Sequence, residues 1–162
     1  MNVYIITGVS KGIGFELAKQ LIEAGHLVVG IARTECELNG MKFIQADLSK
    51  TDKLDSLMNE IIEAAPRHAG SFTLINNAGM VDPIGLIGSV SSEEMTKAIA
   101  VNLTAPMIMS NAFISKLKDF QGPKLIVNIS SGAGRNAYEG WGTYCATKAG
   151  LDHFSRVVAL EQ

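Results

Sequence analysis

Short apolar runs alternate along this chain with longer stretches in which apolar residues recur at helical spacing. The short runs are rich in β-branched residues, which is typical of buried strands. Runs that are apolar on both faces must be covered on both faces, so a sheet built from them needs helices on either side. The pattern predicts strands at Val3–Thr7, Leu27–Ala32, Met41–Ala46, Phe72–Ile75 and Leu125–Ile129.

The longer stretches between these runs predict helices. They cover Phe15–Ala24, about Lys50 to Ala64, Ser91 to about Lys118 with a bend near Pro106, and Tyr144 to the end of the chain. Strands that alternate with helices favour a mostly parallel sheet with right-handed crossovers. We therefore predict one α/β domain over residues 1–162, a Rossmann-type doubly wound fold that binds ligands at the carboxyl ends of its strands.

Composition limits the classes of partner. The chain is 47% hydrophobic and 19% charged, as in an ordinary globular domain, and its net charge of −2 gives no reason to expect nucleic acid or an anionic membrane as partner. We find neither a signal peptide nor an apolar run that predicts a membrane span. Cys36 and Cys145 are predicted to be free thiols in a reducing, cytoplasmic setting, and His26, His68 and His153 lack metal-ligand spacing.

A glycine-rich turn joins the first strand to the first helix. Its spacing is G-xxx-G-x-G, which differs from the G-x-G-x-x-G fingerprint. Such a turn lets backbone N–H groups approach a phosphate at a helix N-terminus, although a strand–helix turn without a ligand has the same composition. The candidate phosphate-binding residues are Gly8, Ser10, Lys11, Gly12, Ile13 and Gly14.

Arg33 follows the second strand, where dinucleotide sites often carry an acid that holds the ribose 2′-hydroxyl. A guanidinium suits a 2′-phosphate instead, and Lys11 in the glycine turn could add a second positive charge. Glu35 and Glu37 lie close by and keep NAD(H) open as the cofactor. We expect NADP(H) rather than NAD(H), with solvated surface charge as the alternative for both cations.

Asp47 and Leu48 follow the third strand. The Asp47 carboxylate could accept a hydrogen bond from an adenine amine, or it could cap the next helix, for which Ser49 is the better candidate. Further along the chain, Asn102 lies within an apolar helical stretch. A buried amide needs hydrogen-bond partners, so Asn102 is either a satisfied core residue or a group that holds water in a site.

Asn76, Asn77, Ala78 and Gly79 follow the fourth strand. The amides and the glycine suit close approach of the backbone to a ligand and hydrogen bonds between neighbouring strands, although a turn uses the same residue types.

Tyr144 and Lys148 lie four residues apart at the start of the last predicted helix, so both face the same side. An ammonium within reach of a phenol favours the phenolate, which suits a group that transfers a proton near neutral pH. A tyrosine and a solvated lysine at a helix start is the simpler interpretation of this pair alone.

Six motifs in order resemble the short-chain dehydrogenase/reductase family. They are Thr7-Gly8-xxx-Gly12-Ile13-Gly14, Asp47-Leu48, Asn76-Asn77-Ala78-Gly79, Val101-Asn102-Leu103, Ile129-Ser130-Ser131 and Tyr144-xxx-Lys148. The resemblance covers the whole chain. It implies an NADP(H)-dependent oxidoreductase in which the glycine turn, Asp47, Leu48, Asn77, Ala78 and Gly79 contact the cofactor.

The resemblance also implies the catalytic roles. Tyr144 would be the acid/base, and Lys148 would favour its ionised form and bind the nicotinamide ribose. Ser131 would bond the substrate carbonyl oxygen, and Asn102 would hold a water of the proton relay. A Gly-Trp pair before Tyr144 and a cysteine after it resemble the sepiapterin reductase and bacterial benzil reductase branch, whose members reduce a vicinal dicarbonyl or an α-hydroxyketone.

The family continues beyond this helix with further strands and a substrate-covering segment, whereas this sequence stops at Gln162. We therefore expect this sequence to be either a deliberately shortened form of the protein or part of a longer native chain that is cut or disordered after Gln162. In either case the fifth strand would be an open sheet edge. A non-catalytic nucleotide-binding domain, or an inactive fragment that pairs with another subunit, is the alternative function. The helices that carry Asn102 and Tyr144 would form a homo-oligomer face.

Overall fold

The computed structural model describes residues 1–66 and 68–162. All the strands lie in one sheet, and helices connect them. The strands are β1 Val3–Thr7, β2 Leu27–Ala32, β3 Met41–Gln45, β4 Phe72–Asn76 and β5 Lys124–Asn128. The helices are α1 Gly12–Glu23, α2 Leu54–Glu63, α3 Ser92–Ile99, α4 Ala105–Lys116 and α5 Gly142–Glu161.

The sheet is fully parallel in the order β3-β2-β1-β4-β5, which confirms the predicted Rossmann-type fold. The chain moves outward from β1 to β3 and then returns to the other side of β1 at β4. The carboxyl ends of β1 and β4 are therefore neighbours, and Thr7, Gly8 and Asn77 meet there although about 70 residues separate them in sequence. A reversal of strand order of this kind is where doubly wound sheets bind ligands.

Apolar residues cover both faces of the sheet. On one face, helices α2 and α4 pack against the strands. Their buried residues Met58, Met109 and Phe113 belong to the same cluster as Ile5 and Leu74. The opposite cluster forms around α1. Its fully or nearly fully buried members are Ile6, Val9, Ala18, Val28, Ala32 and Ile75. Burial of this apolar surface, at roughly 25 cal/mol per Å², holds the glycine turn and the strand ends in place.

A π-helical segment, Ala100–Thr104, joins α3 to α4. The sequence predicted a bend near Pro106, but the irregularity precedes that residue. Pro106 lies inside the continuous helical stretch Ser92–Lys116, so its missing N–H removes the hydrogen bond to the Asn102 carbonyl four residues earlier. The π-segment carries the buried Asn102, and single π-turns inside helices are frequent at functional sites.

The helical stretch Ser92–Lys116 is long and apolar enough to cross a membrane by length and composition alone. This corrects the expectation that no such stretch exists. A core helix of a folded domain passes the same test. In this fold Met109, Ala112 and Phe113 of the stretch are fully or nearly fully buried against the sheet.

Candidate active site

Asn77 holds the glycine turn against the end of β4. Its side-chain Nδ2 donates to the carbonyl oxygens of Thr7 at 3.0 Å and Gly8 at 3.1 Å. The Thr7 hydroxyl oxygen accepts from the backbone N–H groups of Asn77 and Ala78, each at 3.0 Å. The amide predicted to contact the cofactor therefore also determines the position of the turn.

Gly14 lies where no side chain fits. A Cβ there would overlap the Gly8 carbonyl oxygen and lie 2.5 Å from Asn77 Nδ2. Gly8 and Gly12 have φ of +75° and +62°, a region that strongly favours glycine. In the structure α1 begins at Gly12, three residues before the predicted Phe15, and its first backbone N–H groups have no partner within the helix.

A cleft of about 510 Å³ opens over the glycine turn at the carboxyl ends of the strands. Every residue predicted to contact the phosphates and the adenosine lines it, apart from Gly14, which packs beneath the turn. These lining residues are Gly8, Ser10, Lys11, Gly12, Ile13, Arg33, Asp47, Leu48, Asn77, Ala78 and Gly79.

Both cations that were singled out in the sequence line this cleft, Lys11 from the turn and Arg33 from the end of β2. Gln45 Nε2 donates to the Arg33 carbonyl oxygen at 2.8 Å and so anchors the backbone that presents the guanidinium. Glu35 and Glu37, which kept NAD(H) open, are exposed and do not line the cleft.

Asp47 lines the same cleft and accepts hydrogen bonds from the backbone N–H and the hydroxyl of Ser49. The bond from the Ser49 N–H is the main reason that the pKa of Asp47 is lowered, and Arg33 and Lys97 add to the effect. The predicted Ser49 cap is wrong, because a 3₁₀ turn begins at Thr51 and has no side-chain cap. Ser49 instead holds the carboxylate of Asp47.

Asn102 is a satisfied buried amide. Its Oδ1 accepts from the Met80 N–H at 2.8 Å, and its Nδ2 donates to the Met80 carbonyl at 2.7 Å and to Thr147 Oγ1 at 3.3 Å. These bonds tie the π-segment to the loop after β4 and to α5. This agrees with the core-residue interpretation of the side chain, and water binding by Asn102 stays a prediction.

Lys148 is 4% exposed and lies between β5 and Tyr144. Its Nζ donates to the Ile129 carbonyl at 2.8 Å and stands 5.6 Å from the centre of the Tyr144 ring. Burial lowers the pKa of Lys148, and the Asp152 carboxylate partly opposes this. The pair forms because α5 begins at Gly142 and turns both side chains to the same face.

Lys148 lies beside Gly79, one of the residues that line the cleft. A Cβ built on Gly79, which lines the cleft, would lie 3.7 Å from Lys148 Nζ and 3.5 Å from Asn102 Oδ1. An added side chain at Gly79 would therefore touch both polar groups, and glycine leaves this end of the cleft open.

Ser131 follows β5 and begins a short 3₁₀ turn, Gly132–Gly134, as its cap. Its Oγ accepts from the Ala133 N–H at 3.2 Å. The hydroxyl proton remains available to donate. Ser131 is half-buried and lies two residues from Ile129, whose carbonyl holds Lys148, so the end of β5 contributes to both groups.

The cleft also contains groups that the sequence pattern did not single out. Thr34 follows Arg33 directly, so its position after β2 could have indicated it. Met80 and Val101 lie in a loop and a π-segment, and no local pattern marks them. Further lining residues are Ile31, Ala32 and Ala46.

The residues fit a dinucleotide. Glycines that exclude side chains let a pyrophosphate approach the backbone, and the N-terminus of α1 favours its negative charge. Lys11 and Arg33 line the same cleft, and Lys148 Nζ lies beside its lining residue Gly79. The cleft therefore has suitable groups for the phosphates and the adenosine half of such a cofactor.

The short chain dehydrogenase family model matches residues 2–162. The chain belongs to this family, whose members are oxidoreductases. It is similar to a Bacillus subtilis benzil reductase that forms (S)-benzoin, with 41% identity over all of this chain and 68% of the relative. It is 31% identical to mouse sepiapterin reductase over 99% of this chain and 69% of the relative. The resemblance to this branch is confirmed, and the chain spans about two thirds of the length of these relatives.

Solved structures agree on the fold. A short-chain dehydrogenase/reductase from Burkholderia vietnamiensis matches with a TM-score of 0.89 and 34% identity, over 98% of this chain and 76% of that one. A metagenomic relative in complex with NADP matches at 0.84 with 30% identity, covering 99% and 75% of the two chains. A 4-hydroxyisoleucine dehydrogenase complexed with NADH matches at 0.88 with 28% identity, covering 99% and 69%. The family therefore uses either nicotinamide cofactor.

Proposed function

We propose that this protein is an NADPH-dependent carbonyl reductase that acts on a small ketone, with a vicinal diketone as the preferred class. The observation that carries the proposal is the buried Lys148 ammonium, which lies 5.6 Å from the Tyr144 ring and next to Gly79 of the cleft. Burying a cation costs desolvation free energy, and stabilising a phenolate beside a bound cofactor would explain why the ammonium is held there.

Each catalytic residue has a separate task in this proposal. The bound nicotinamide supplies the hydride. Tyr144 donates the hydroxyl proton to the substrate carbonyl oxygen, and Ser131 donates a hydrogen bond to the same oxygen. Lys148 supports the ionised phenol after transfer and holds the nicotinamide ribose, and Asn102 holds a water that returns the proton from solvent. General acid catalysis of this kind contributes about 10²- to 10⁴-fold.

The test removes one oxygen atom from the proposed acid. We expect Tyr144→Phe to lower kcat for benzil by about 10²-fold or more, with the NADPH dissociation constant within a few-fold of wild type. Tyr4→Phe is the matched control, because Tyr4 packs on His26 in another part of the domain, at 5.2 Å between rings. A Tyr144→Phe variant within tenfold of wild type would refute the assignment. If the wild type binds NADPH but does not reduce benzil, a non-catalytic nucleotide-binding domain is favoured instead.

The preference for NADPH rests on Arg33 and Lys11, which line the cleft together. Two cations can bind a 2′-phosphate by charge-assisted hydrogen bonds, whereas they offer less to a ribose hydroxyl. We expect Arg33→Asp to weaken NADPH binding by at least about tenfold more than NADH binding. Arg156→Asp, an exposed arginine of α5, is the charge-matched control. Equal losses for both cofactors would exclude the 2′-phosphate role.

Members of this family are commonly oligomeric. In this chain, Ile99, Met107, Val157 and Leu160 are exposed apolar residues of the α3–α4 stretch and of α5. We propose that these helices form the homo-oligomer face. Light scattering of wild type against a Met107→Glu variant tests this. Identical masses well above that of the 17.3 kDa chain would place the interface elsewhere.

A further inference from the structure

Helix α5 carries two buried threonines, Thr143 and Thr147, one turn apart on the same face. They are 6% and 1% exposed. The helix lies close to the π-segment, since a Cβ on Gly150 would lie 3.1 Å from Leu103 Cδ2. A buried hydroxyl without a hydrogen-bond partner costs free energy, so the partners of these two groups show what each of them does in the fold.

The two threonines differ in their hydrogen bonds. Thr147 Oγ1 donates to the Tyr144 carbonyl oxygen at 2.8 Å and accepts from Asn102 Nδ2 at 3.3 Å. A bond from a helical threonine to a carbonyl of the preceding turn is common, but the bond from Asn102 comes from another element. The hydroxyl of Thr143 is buried and has no hydrogen-bond partner within residues 1–66 and 68–162. The hydroxyl of Thr147 therefore belongs to a network from which that of Thr143 is absent.

This network runs from the cleft to the backbone of the proposed acid. Asn102 holds both the N–H and the carbonyl of Met80, which lines the cleft. The same amide donates to Thr147, which in turn donates to the Tyr144 carbonyl. Because the threonine gives its one proton to that carbonyl, it can only accept from the amide, and this fixes the direction of both bonds. The start of α5 is thus joined by hydrogen bonds to the loop after β4.

We propose that Thr147 is a positioning residue whose hydroxyl, through Asn102, holds the first turns of α5 and the Tyr144 they carry in register with the cofactor cleft. Its effect on the reaction rate rests on the proposed function, in which Tyr144 protonates the substrate. Thr147 is too buried to meet a substrate itself, so it acts through its two partners. A misplacement of about 1 Å can lower a rate by about 10²-fold, and a loss of register should therefore appear in kcat.

Thr147→Val removes the hydroxyl and keeps nearly the same shape. We expect kcat for benzil to fall by about tenfold or more, with the NADPH dissociation constant within about threefold of wild type. Thr147→Ser restores the hydroxyl and should return kcat to within about threefold of wild type. Thr143→Val is the matched control, because it makes the same change on the same helix face at a hydroxyl without a described partner, and its kcat should stay within about threefold of wild type. In an Asn102→Ala background, Thr147→Val should lower kcat by less than about threefold more, since the hydroxyl acts through that amide.

Amide hydrogen exchange separates this inference from the proposed function, because it needs no turnover. We expect the backbone N–H groups of the first turns of α5 to exchange about fivefold faster or more in Thr147→Val than in wild type, and at the wild-type rate in Thr143→Val. If wild type reduces no diketone, the proposed function fails, and these exchange rates alone decide the role of Thr147. Equal exchange in the two variants would overturn that role. So would a Thr147→Val enzyme whose kcat lies within threefold of an active wild type.

Discussion

Replacing Asn77 by aspartate tests how the cofactor turn is held. The change keeps the shape of the side chain but replaces an amide donor by a carboxylate oxygen. In the wild type, Nδ2 donates to two carbonyl oxygens at 3.0 and 3.1 Å. In Asn77→Asp both bonds are lost, and a negative oxygen faces the carbonyls of Thr7 and Gly8.

The cost follows from the bonds that are lost. Each hydrogen bond contributes about 0.5–1.5 kcal/mol net, and an unpaired partner left in a part-buried site costs more. We expect the free energy of unfolding to fall by about 2–4 kcal/mol at pH 7, with weaker NADPH binding because the turn no longer holds its geometry. Protonation of the new carboxyl restores one hydrogen-bond donor. The difference in unfolding free energy between wild type and Asn77→Asp should therefore become smaller as pH falls from 7 to 4.

Urea unfolding of the wild type and Asn77→Asp at several pH values measures this difference. Asn39→Asp makes the same chemical change at an exposed position and should stay within about 0.5 kcal/mol of wild type. Two results would refute the reasoning. One is an Asn77→Asp stability equal to that of Asn39→Asp, and the other is a difference from wild type that does not depend on pH.

Two further predictions concern charged groups of the site. Burial lowers the pKa of Lys148 below 10.5, so the unfolded chain binds more protons between the two values, and wild type should gain stability relative to Lys148→Met as pH rises from 7 toward 10. Urea unfolding at three pH values measures this, and a constant difference would contradict it. The pKa of Asp47 is lowered below 3.8, so its contribution is present above that pH and lost as pH falls through the folded value. The stability difference between wild type and Asp47→Asn should therefore shrink between pH 5 and 2.5 in thermal unfolding, and a difference that grows would exclude the Ser49 hydrogen bonds as its source.

Local features explain most of what could be predicted. Buried parallel strands appear as short apolar runs, and β1 and β2 have the predicted bounds. Glycine at a position with positive φ and a tyrosine–lysine pair one helical turn apart are also properties of neighbouring residues. These features indicated the fold, the cofactor cleft and the proposed catalytic pair.

Other features depend on distant parts of the chain. Asn77 and Thr7 meet only because β4 lies beside β1. From the sequence alone, the same amide could equally have formed a turn. The π-segment that presents Asn102 appeared as an ordinary helix with a bend, since its partners Met80 and Thr147 lie 22 and 45 residues away.

The sequence by itself determined the alternation of strands and helices, because apolar periodicity and glycine conformation are local properties. Only the tertiary structure decided that the Asn102 amide bonds to Met80 and Thr147, and that Ile87 lies against Gly142. These outcomes depend on strand order and loop packing, which bring together residues that no local pattern connects. The fold could therefore be predicted from the sequence, whereas the contacts that hold the site depend on the tertiary structure.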